Sequence, residues 1–314
     1  MTNKLRDELQ TRMVTHEPWV AQVRWPLLLV LTLASALVAP TAKAQQSSVA
    51  AGESRSAKLD GARIHYKSYG KGSEALVLIH GWSGNLDSWR DHVSDLAKRN
   101  RVIAIDLPGH GQSDKPQLAY SMDFFARVID AVLRDAKVKR AVLVGHSMGT
   151  PVSRQFYRKY PQKTLAIVIV DGALRPFGDK KMMEGFIAGF RGPNYKEAGM
   201  RMFAGMAGPN LSAELQERIQ CSFLNTPQHV LVSAMEGIAD ESIWGQDKID
   251  VPVLAIMAKS PFWPADTEQF DRSIAPSLDF QMWDGVGHFL MMEKPQQFSE
   301  AVIVFLNKNG LLKK

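Results

Sequence analysis

A serine flanked by glycines is the residue of this chain best placed to do chemistry. Ser147 is the centre of Gly145-His-Ser-Met-Gly149, between an apolar run at 141–144 and a helix-compatible run at 152–160. A serine hydroxyl is a weak nucleophile and needs an adjacent base and a fixed geometry. A strand that turns sharply into a helix at the serine exposes the Oγ above the sheet edge, and the glycines allow strand and helix to approach closely. The spacing therefore predicts that Ser147 is a nucleophile.

A histidine in a glycine-containing loop is the matching base. His288 follows Gly285-Val-Gly287, directly after an apolar run at 278–283. A loop histidine at this point has little packing role, and imidazole is the side chain best suited to proton transfer near neutral pH. We therefore predict that His288 is the general base for Ser147.

Two backbone amides are expected to stabilise the tetrahedral oxyanion that attack by Ser147 would create. Each such donor contributes on the order of 3 kcal/mol. The expected oxyanion hole consists of the N–H of Trp82, in the loop His80-Gly-Trp82 that ends a buried strand, and the N–H of Met148, which follows the nucleophile. His80 itself is expected to brace this loop.

The elements that must position these residues alternate between strands and helices. The strand candidates are near-continuous apolar runs, typical of parallel strands that are covered on both faces. We predict strands at 63–69 (an edge strand), 75–79, 102–105, 141–144, 165–170, 253–257 and 278–283, and helices at about 87–99, 121–136, 147–160, 266–274 and 295–308. This alternation predicts an α/β fold with a doubly wound, mostly parallel sheet.

One long segment interrupts the alternation. Residues 173–248 carry no strand signal and are rich in Met and Phe at helical spacing, which predicts a helical cap inserted after the strand at 165–170. The sheet core is then expected at 57–172 and 249–314.

The Met and Phe side chains of the cap have two expected uses. Most of them would fill the underside of its helices, and some would line an apolar pocket that faces the nucleophile, since Met adapts to varied ligand shapes. We place Trp82, Phe186 and Met202 in that substrate pocket.

The amino-terminal segment is typical of an export signal. A stretch with several Lys and Arg precedes an apolar segment at 25–38, and the small-x-small sequence Ala42-Lys-Ala44 follows. The apolar segment is shorter than the roughly 18–20 residues that span a bilayer. We expect a signal peptide at 1–44, cleavage after Ala44, a disordered leader at 45–56, and a periplasmic or secreted protein. An uncleaved anchor is the alternative.

Charge and cysteine content exclude several classes of function. Without residues 1–44 the net charge falls from +6 to +4, since that segment carries five Lys or Arg and three Asp or Glu. Because no basic run is interleaved with aromatic residues, nucleic acid is not an expected partner. The single cysteine, Cys221, cannot form an intramolecular disulfide and is expected to be a small buried residue. No CxxC, HExxH or EF-hand spacing is present, so we expect no metal and no cofactor.

Four motifs together resemble the α/β-hydrolase fold family, in particular its cap-bearing serine esterases and haloperoxidase-like hydrolases. The motifs are His80-Gly-Trp82, Asp106-Leu-Pro-Gly-His-Gly-Gln-Ser113, Gly145-His-Ser-Met-Gly149 and Gly287-His288, and the resemblance covers about residues 60–310. It implies a Ser-His-acid triad, with Asp106 and His110 as structural residues. It implies no particular substrate, because this fold carries esterases, lactonases, C–C bond hydrolases and perhydrolases.

The acid of the triad departs from the family pattern. The family usually places it just after the strand at 253–257, where this chain has Ser260-Pro261 in place of an Asp-Pro pair. Asp171, at the end of the strand at 165–170, and Asp266, near a helix start, are the two candidates. We favour Asp171 because a strand end holds a side chain more firmly than a loop does, and Asp266 has a ready role as a helix cap.

These residues together predict an exported serine hydrolase that cleaves a small, apolar ester or related acyl substrate through an acyl-enzyme. A C–C bond hydrolase or a perhydrolase would use the same Ser147 and His288. A third hypothesis is a ligand-binding homologue without turnover, which is supported by the serine at 260 in place of the usual acid. The expected partner is a small-molecule acyl substrate; no membrane span is expected after signal cleavage, and the pattern favours no particular oligomeric state.

Overall fold

An eight-stranded sheet forms the centre of the protein. In the computed structural model, which describes residues 52–312, the strand order is β1-β2-β4-β3-β5-β6-β7-β8. The strands are β1 Glu53–Leu59, β2 Ala62–Tyr69, β3 Glu74–Ile79, β4 Val102–Ile105, β5 Arg140–His146, β6 Thr164–Val170, β7 Val253–Ala258 and β8 Leu278–Trp283. β2 pairs antiparallel with β1 and with β4, and the other neighbours are parallel. The predicted α/β fold with a mostly parallel sheet is confirmed.

Helices follow most of the strands. They are α1 Val93–Leu96, α2 Met122–Asp135, α3 Gly149–Lys159, α4 Lys180–Arg191, α5 Tyr195–Met206, α6 Ala213–Leu224, α7 Gln228–Ala239, α8 Thr267–Ile274, α9 Leu290–Glu293 and α10 Pro295–Lys308. The helix predicted at 87–99 is instead a 3₁₀ turn at Leu86–Trp89 followed by the short α1. Within residues 52–312, no helix has the length and apolar character that crossing a bilayer requires.

The register of the central strands brings the candidate loops together. Strands β3, β5, β6 and β7 are apolar and almost wholly buried, as expected for parallel strands covered by helices. His146 at the end of β5 is opposite Val170 at the end of β6, and Val170 is opposite Ile256 of β7. Because the carboxyl ends of parallel strands share one edge of the sheet, Ser147 and Asp171 leave neighbouring strands at that edge.

A helical insertion separates β6 from β7. Helices α4 to α7 and a 3₁₀ turn at Glu241–Trp244 form it, as predicted for the cap. The guanidinium of Arg154 on α3 is buried and donates hydrogen bonds to the carbonyls of Leu174 (2.8 Å) and of Gly245. These carbonyls lie where the chain enters and leaves the insertion, so one side chain of the core holds both connections.

The amino-terminal strand corrects the predicted leader at 45–56. Residues 53–56 belong to β1, which pairs along its length with β2, and the Ser54 hydroxyl is 2.8 Å from Nε2 of His65. Most side chains of β1 are exposed, so backbone pairing rather than an apolar run stabilises it. β2 is therefore the second strand and not the predicted edge strand. The predicted signal peptide at 1–44 and the rest of the leader up to 51 lie outside the described residues.

The expectation for the single cysteine was wrong. Cys221 is exposed on α6, because this helix directs Phe223 rather than Cys221 into the core.

Candidate active site

Ser147 lies in the sharp turn between β5 and α3. Its φ is 51°, in the left-handed region that residues other than glycine rarely adopt. The glycines on either side are sterically required, because a Cβ at Gly145 would lie 2.2 Å from the carbonyl oxygen of Gly149, and one at Gly149 would lie 2.6 Å from the carbonyl oxygen of Ile79. A strained serine between two such glycines has the geometry of a nucleophile elbow.

The imidazole of His288 contacts the carboxylate of Asp171. The distance from Nδ1 of His288 to Oδ2 of Asp171 is 2.6 Å, and the aspartate side chain is only 4% exposed. Asp171 follows the last residue of β6, and its N–H donates to the carbonyl of Ile256. Because a carboxylate only accepts hydrogen bonds, Nδ1 of a neutral His288 carries the proton and Nε2 is free to take one.

The alternative acid, Asp266, lies away from His288. Asp266 forms a two-point ion pair with Arg175, with Oδ1 2.6 Å from Nη2 and Oδ2 3.0 Å from Nη1, and it is 58% exposed. This hydrogen bonding with Arg175 lowers the pKa of Asp266. Asp266 stands just before α8, but its side chain caps no N–H of that helix. The structure therefore brings Asp171, and not Asp266, to His288.

The backbone of His288 is held from two sides. Its N–H donates to the carbonyl of Met206 at the end of α5 (3.0 Å), and its carbonyl accepts from Nε2 of His146 (2.9 Å). His146 immediately precedes Ser147, and the centroids of the two imidazole rings are 4.8 Å apart. Burial, and then the neighbouring His288, lowers the pKa of His146 well below its usual value. His146 is therefore a neutral ring whose single proton is on Nε2, pointing at the His288 carbonyl.

The loop after β3 lies directly against the nucleophile turn. A Cβ at Gly81 would be 3.1 Å from Cβ of Ser147. The N–H groups of Trp82 and Met148 donate to no acceptor in the described part of the chain, so both can donate to an oxygen bound next to Ser147.

His80 braces this loop, as expected. Its Nδ1 lies 2.8 Å from the carbonyl oxygen of Gly81, and its Nε2 accepts from the N–H of Leu107 (3.1 Å). Burial lowers the pKa of His80 and keeps the ring neutral, which is the state that can donate from one nitrogen and accept at the other. Asp106, also expected to be structural, accepts from the N–H groups of Leu86 and Gln112 and contacts His65.

Aromatic rings of the cap surround Trp82. Its ring centroid is 5.0 Å from that of Phe190, 6.0 Å from Phe223, 6.3 Å from Phe203 and 6.5 Å from Phe186. The indole N–H donates to the carbonyl of Leu231 on α7. The loop after β3 and the cap helices therefore share one apolar cluster, which includes Trp82 and Phe186, two of the predicted pocket residues.

A cleft of about 570 Å³ opens beside this cluster, between the loop at 82–90 and α6. Trp82, Phe203 and Phe289 form part of its wall. Of the three predicted pocket residues, only Trp82 lines this cleft; Phe186 and Met202 are partly buried against the core. Among residues 52–312, no group of three or more His, Cys, Asp or Glu side chains is arranged to hold a metal ion.

Sequence reasoning did not predict three contacts of this site. They are the hydrogen bonds from His146 to the His288 carbonyl, from the His288 N–H to Met206, and from the Trp263 indole to Asp171. His146 had one available signal, its place directly before the nucleophile. The other two contacts join residues far apart in the chain, which no local pattern indicates.

The fold and this arrangement define the class of protein. A family model described as alpha/beta hydrolase fold matches residues 74–295, which is more than half of the chain. The chain belongs to the alpha/beta hydrolase fold family, as the four motifs predicted.

Curated relatives cover different parts of the chain. It is 28% identical over 250 residues to the dihydrolipoyllysine-residue acetyltransferase component of an acetoin cleaving system from Pseudomonas putida, across 76% of this chain and 65% of that protein. The match to the corresponding component from Cupriavidus necator covers only 35% of that protein, so the chain spans less than two thirds of either one. A 2-hydroxy-6-oxononadienedioate/2-hydroxy-6-oxononatrienedioate hydrolase from Burkholderia vietnamiensis is 28% identical over 268 residues, across 78% of this chain and 91% of that one.

Solved structures with this fold include Est816, described as an N-acyl homoserine lactone degrading enzyme. Its TM-score is 0.71 at 28% identity, over 80% of this chain and all of that one. An esterase from Exiguobacterium antarcticum has a TM-score of 0.73 at 19% identity, over 82% of this chain and 100% of that one, and this second likeness concerns the fold alone.

Proposed function

We propose that this protein is an exported serine hydrolase that cleaves a small, apolar ester or lactone through an acyl-enzyme. The observation that carries the proposal is the 2.6 Å contact between His288 and Asp171, at the sheet edge where Ser147 occupies a strained turn. Ser147 and Asp171 follow the neighbouring strands β5 and β6, and His288 lies in the loop after β8. Three groups with these roles at one edge of the sheet form the general arrangement of a Ser-His-Asp hydrolase.

The first chemical step uses the free nitrogen of His288. Ser147 Oγ attacks the substrate carbonyl carbon while Nε2 of His288 accepts the hydroxyl proton. Asp171 holds Nδ1–H and stabilises the imidazolium that forms. The same Nε2–H then protonates the leaving oxygen. In the second half of the reaction, a water molecule attacks the acyl carbon while His288 takes its proton, and His288 returns that proton to Ser147 Oγ as the bond between Oγ and the acyl carbon breaks.

Two backbone donors stabilise the oxyanion in both tetrahedral steps. The free N–H groups of Trp82 and Met148 flank Ser147 from the loop after β3 and from the start of α3. Each contributes on the order of 3 kcal/mol to the transition state when it is aimed at the developing charge.

The substrate class follows from the cap cluster. The rings of Phe186, Phe190, Phe203 and Phe223 around Trp82 favour an apolar acyl or alcohol group over a dicarboxylate. The lactone-degrading enzyme among the similar structures supports the same bond type. Export remains part of the proposal on the strength of the amino-terminal segment, which lies outside the described residues.

Turnover of short p-nitrophenyl esters tests the proposal. We expect Ser147→Ala and His288→Ala to lower kcat by at least about 10³-fold, because the residues of a triad act as one unit. A fluorophosphonate probe should label the wild type and not Ser147→Ala. Ser273→Ala is the control, since Ser273 is more exposed than Ser147 and its hydroxyl donates to the backbone carbonyl of Phe270 (2.5 Å). If Ser147→Ala turns over esters at the wild-type rate, the proposal is wrong.

The alternatives predict different results in the same assays. A C–C bond hydrolase would have a higher kcat/KM for a ring-cleavage diketone than for any ester, and a perhydrolase would form peracid from acetate and hydrogen peroxide. A ligand-binding homologue without turnover would give no fluorophosphonate adduct at Ser147.

A further inference from the structure

The segment that lacks the usual acid forms a tight turn instead. Ser260, which stands where the family pattern has an aspartate, accepts the N–H of Phe262 at its Oγ (3.2 Å) and the N–H of Trp263 at its carbonyl (3.2 Å). The chain therefore closes over four residues directly after β7. This turn directs the side chain of Trp263 back toward the sheet edge.

The indole of Trp263 reaches the relocated acid. Its Nε1–H donates to Oδ1 of Asp171 (3.0 Å), and the N–H of Ala258 donates to the same oxygen (2.8 Å). The other carboxylate oxygen, Oδ2, faces His288. Trp263 is 9% exposed and Asp171 is 3% exposed, so this bond is shielded from water. The ring of Trp263 packs against Phe177 and Phe262, with centroids 5.7 and 5.3 Å away.

We propose that Trp263 is a positioning residue that orients the Asp171 carboxylate toward His288, an inference that rests on the proposed serine-hydrolase function. Two N–H donors on Oδ1 fix the rotation of the carboxylate and leave Oδ2 for the imidazole. A buried carboxylate needs such donors, because burial without hydrogen bonds strongly disfavours its charged form. The loop after β7, which has Ser260 where the family pattern has an aspartate, thus supplies a hydrogen-bond donor to Asp171 at the end of the neighbouring strand β6.

A matched pair of tryptophan variants isolates the indole N–H. Trp244 is also 9% exposed, and its Nε1–H donates to the backbone carbonyl of Ile238 (2.9 Å). Trp263→Phe and Trp244→Phe therefore each remove one buried indole N–H while keeping an aromatic ring. They differ in the acceptor that loses a hydrogen bond, which is the Asp171 carboxylate for Trp263 and the backbone carbonyl of Ile238 for Trp244.

The expected result is a change in kcat for one variant only. With a p-nitrophenyl ester, kcat of Trp263→Phe should fall by about 10- to 100-fold, which corresponds to about 1.4 to 2.7 kcal/mol at 1.36 kcal/mol per factor of ten. KM should stay within about threefold, because the indole contacts no substrate. The acid limb of its kcat/KM profile should move to higher pH, since Oδ1 no longer shares its charge with the indole. Trp244→Phe should leave kcat and the profile unchanged.

A second measurement tests the contact without turnover. The Nδ1 proton between His288 and Asp171 should give a low-field ¹H NMR resonance that Asp171→Asn abolishes. We expect this resonance to move in Trp263→Phe and not in Trp244→Phe. If Trp263→Phe matches Trp244→Phe in both kcat and this resonance, the proposal is overturned. If Ser147→Ala stays active, the serine-hydrolase function fails by itself, and the resonance still decides the role of Trp263.

Discussion

Gly208 gives a direct test of whether the cap positions the catalytic loop. It lies in the turn between α5 and α6, just after Met206, whose carbonyl accepts the N–H of His288. The backbone of Gly208 is not in the left-handed region, so alanine there introduces no strain of its own. Gly208→Ala therefore perturbs only what the new methyl group touches.

The magnitude follows from the contacts of that methyl group. A Cβ on Gly208 would lie 2.1 Å from the backbone nitrogen of Gly287 and 2.2 Å from Oε2 of Glu293. Carbon normally approaches such atoms no closer than about 3.4 Å, so the two segments must separate by about 1 Å. The Glu293 carboxylate is buried and accepts the N–H of Gly287 at Oε1 (2.9 Å). Gly287 is backbone next to His288, so both neighbours of the new methyl group are tied to the loop that carries His288. A misplacement of about 1 Å in a catalytic group costs about 10²-fold in rate.

Gly205 supplies the matched control. It lies one turn earlier in α5, and a Cβ there would have nothing within 4 Å. Gly205→Ala should stabilise the helix by up to about 1 kcal/mol and leave turnover unchanged. Comparing the two variants separates the contact with the His288 loop from the general effect of adding a methyl group to this part of the cap.

The assay is ester turnover well below the melting temperature of each variant, together with the rate of fluorophosphonate labelling at Ser147. We expect kcat of Gly208→Ala to fall by about 100-fold with KM within about threefold, and labelling to slow in parallel. A Gly208→Ala enzyme as active as Gly205→Ala would refute the reasoning, because it would mean that the cap turn and the His288 loop move independently.

Two further predictions concern the acid and the buried histidines. Asp171→Asn should lower kcat by about 10³- to 10⁴-fold, because an amide does not hold the required imidazole tautomer. Asp266→Asn should change kcat less than about twofold. Equal losses of kcat in the two variants would contradict the assignment of Asp171 as the acid. Burial lowers the pKa of His92 to about 4 and that of His110 to about 3, so unfolding takes up protons below about pH 6.5 and stability falls as the pH drops toward these values. For His92 the loss of unfolding free energy reaches about 3 kcal/mol below pH 4. The unfolding free energy measured by urea denaturation should therefore depend less steeply on pH in His92→Asn than in the wild type. An unchanged pH dependence would exclude His92 as a contributor.

The sequence predicts best those features that depend on local pattern. Apolar runs identify the central strands because parallel strands are buried on both faces. Ser147 and His288 are identifiable because glycines at fixed offsets mark turns that present a side chain at the sheet edge. The contact between Asp171 and His288 is predictable from a simple geometric argument, since a strand end positions a side chain more firmly than a loop does.

The features that the sequence does not predict depend on distant partners. β1 has mostly exposed side chains and is a strand only because β2 offers it backbone hydrogen bonds. Cys221 is exposed because of the face that α6 turns toward the core. Phe186 and Met202 are partly buried against the core and do not line the cleft beside Trp82. In each case the position of the residue depends on a partner in the folded structure, and a local stretch of sequence does not contain that partner.

The position of the acid explains several of these contacts together. Once the carboxylate is on β6, its neighbour β7 approaches it with the N–H of Ala258 and with the turn at 260–263. Serine suits position 260 because its hydroxyl closes that turn, a task that does not require a negative charge. His288 is then held by Asp171 from the sheet, by His146 from the nucleophile strand and by Met206 from the cap. His288 is thus held by three different parts of the fold, so if it is the base that we propose, a disturbance in any one of them should change the reaction rate.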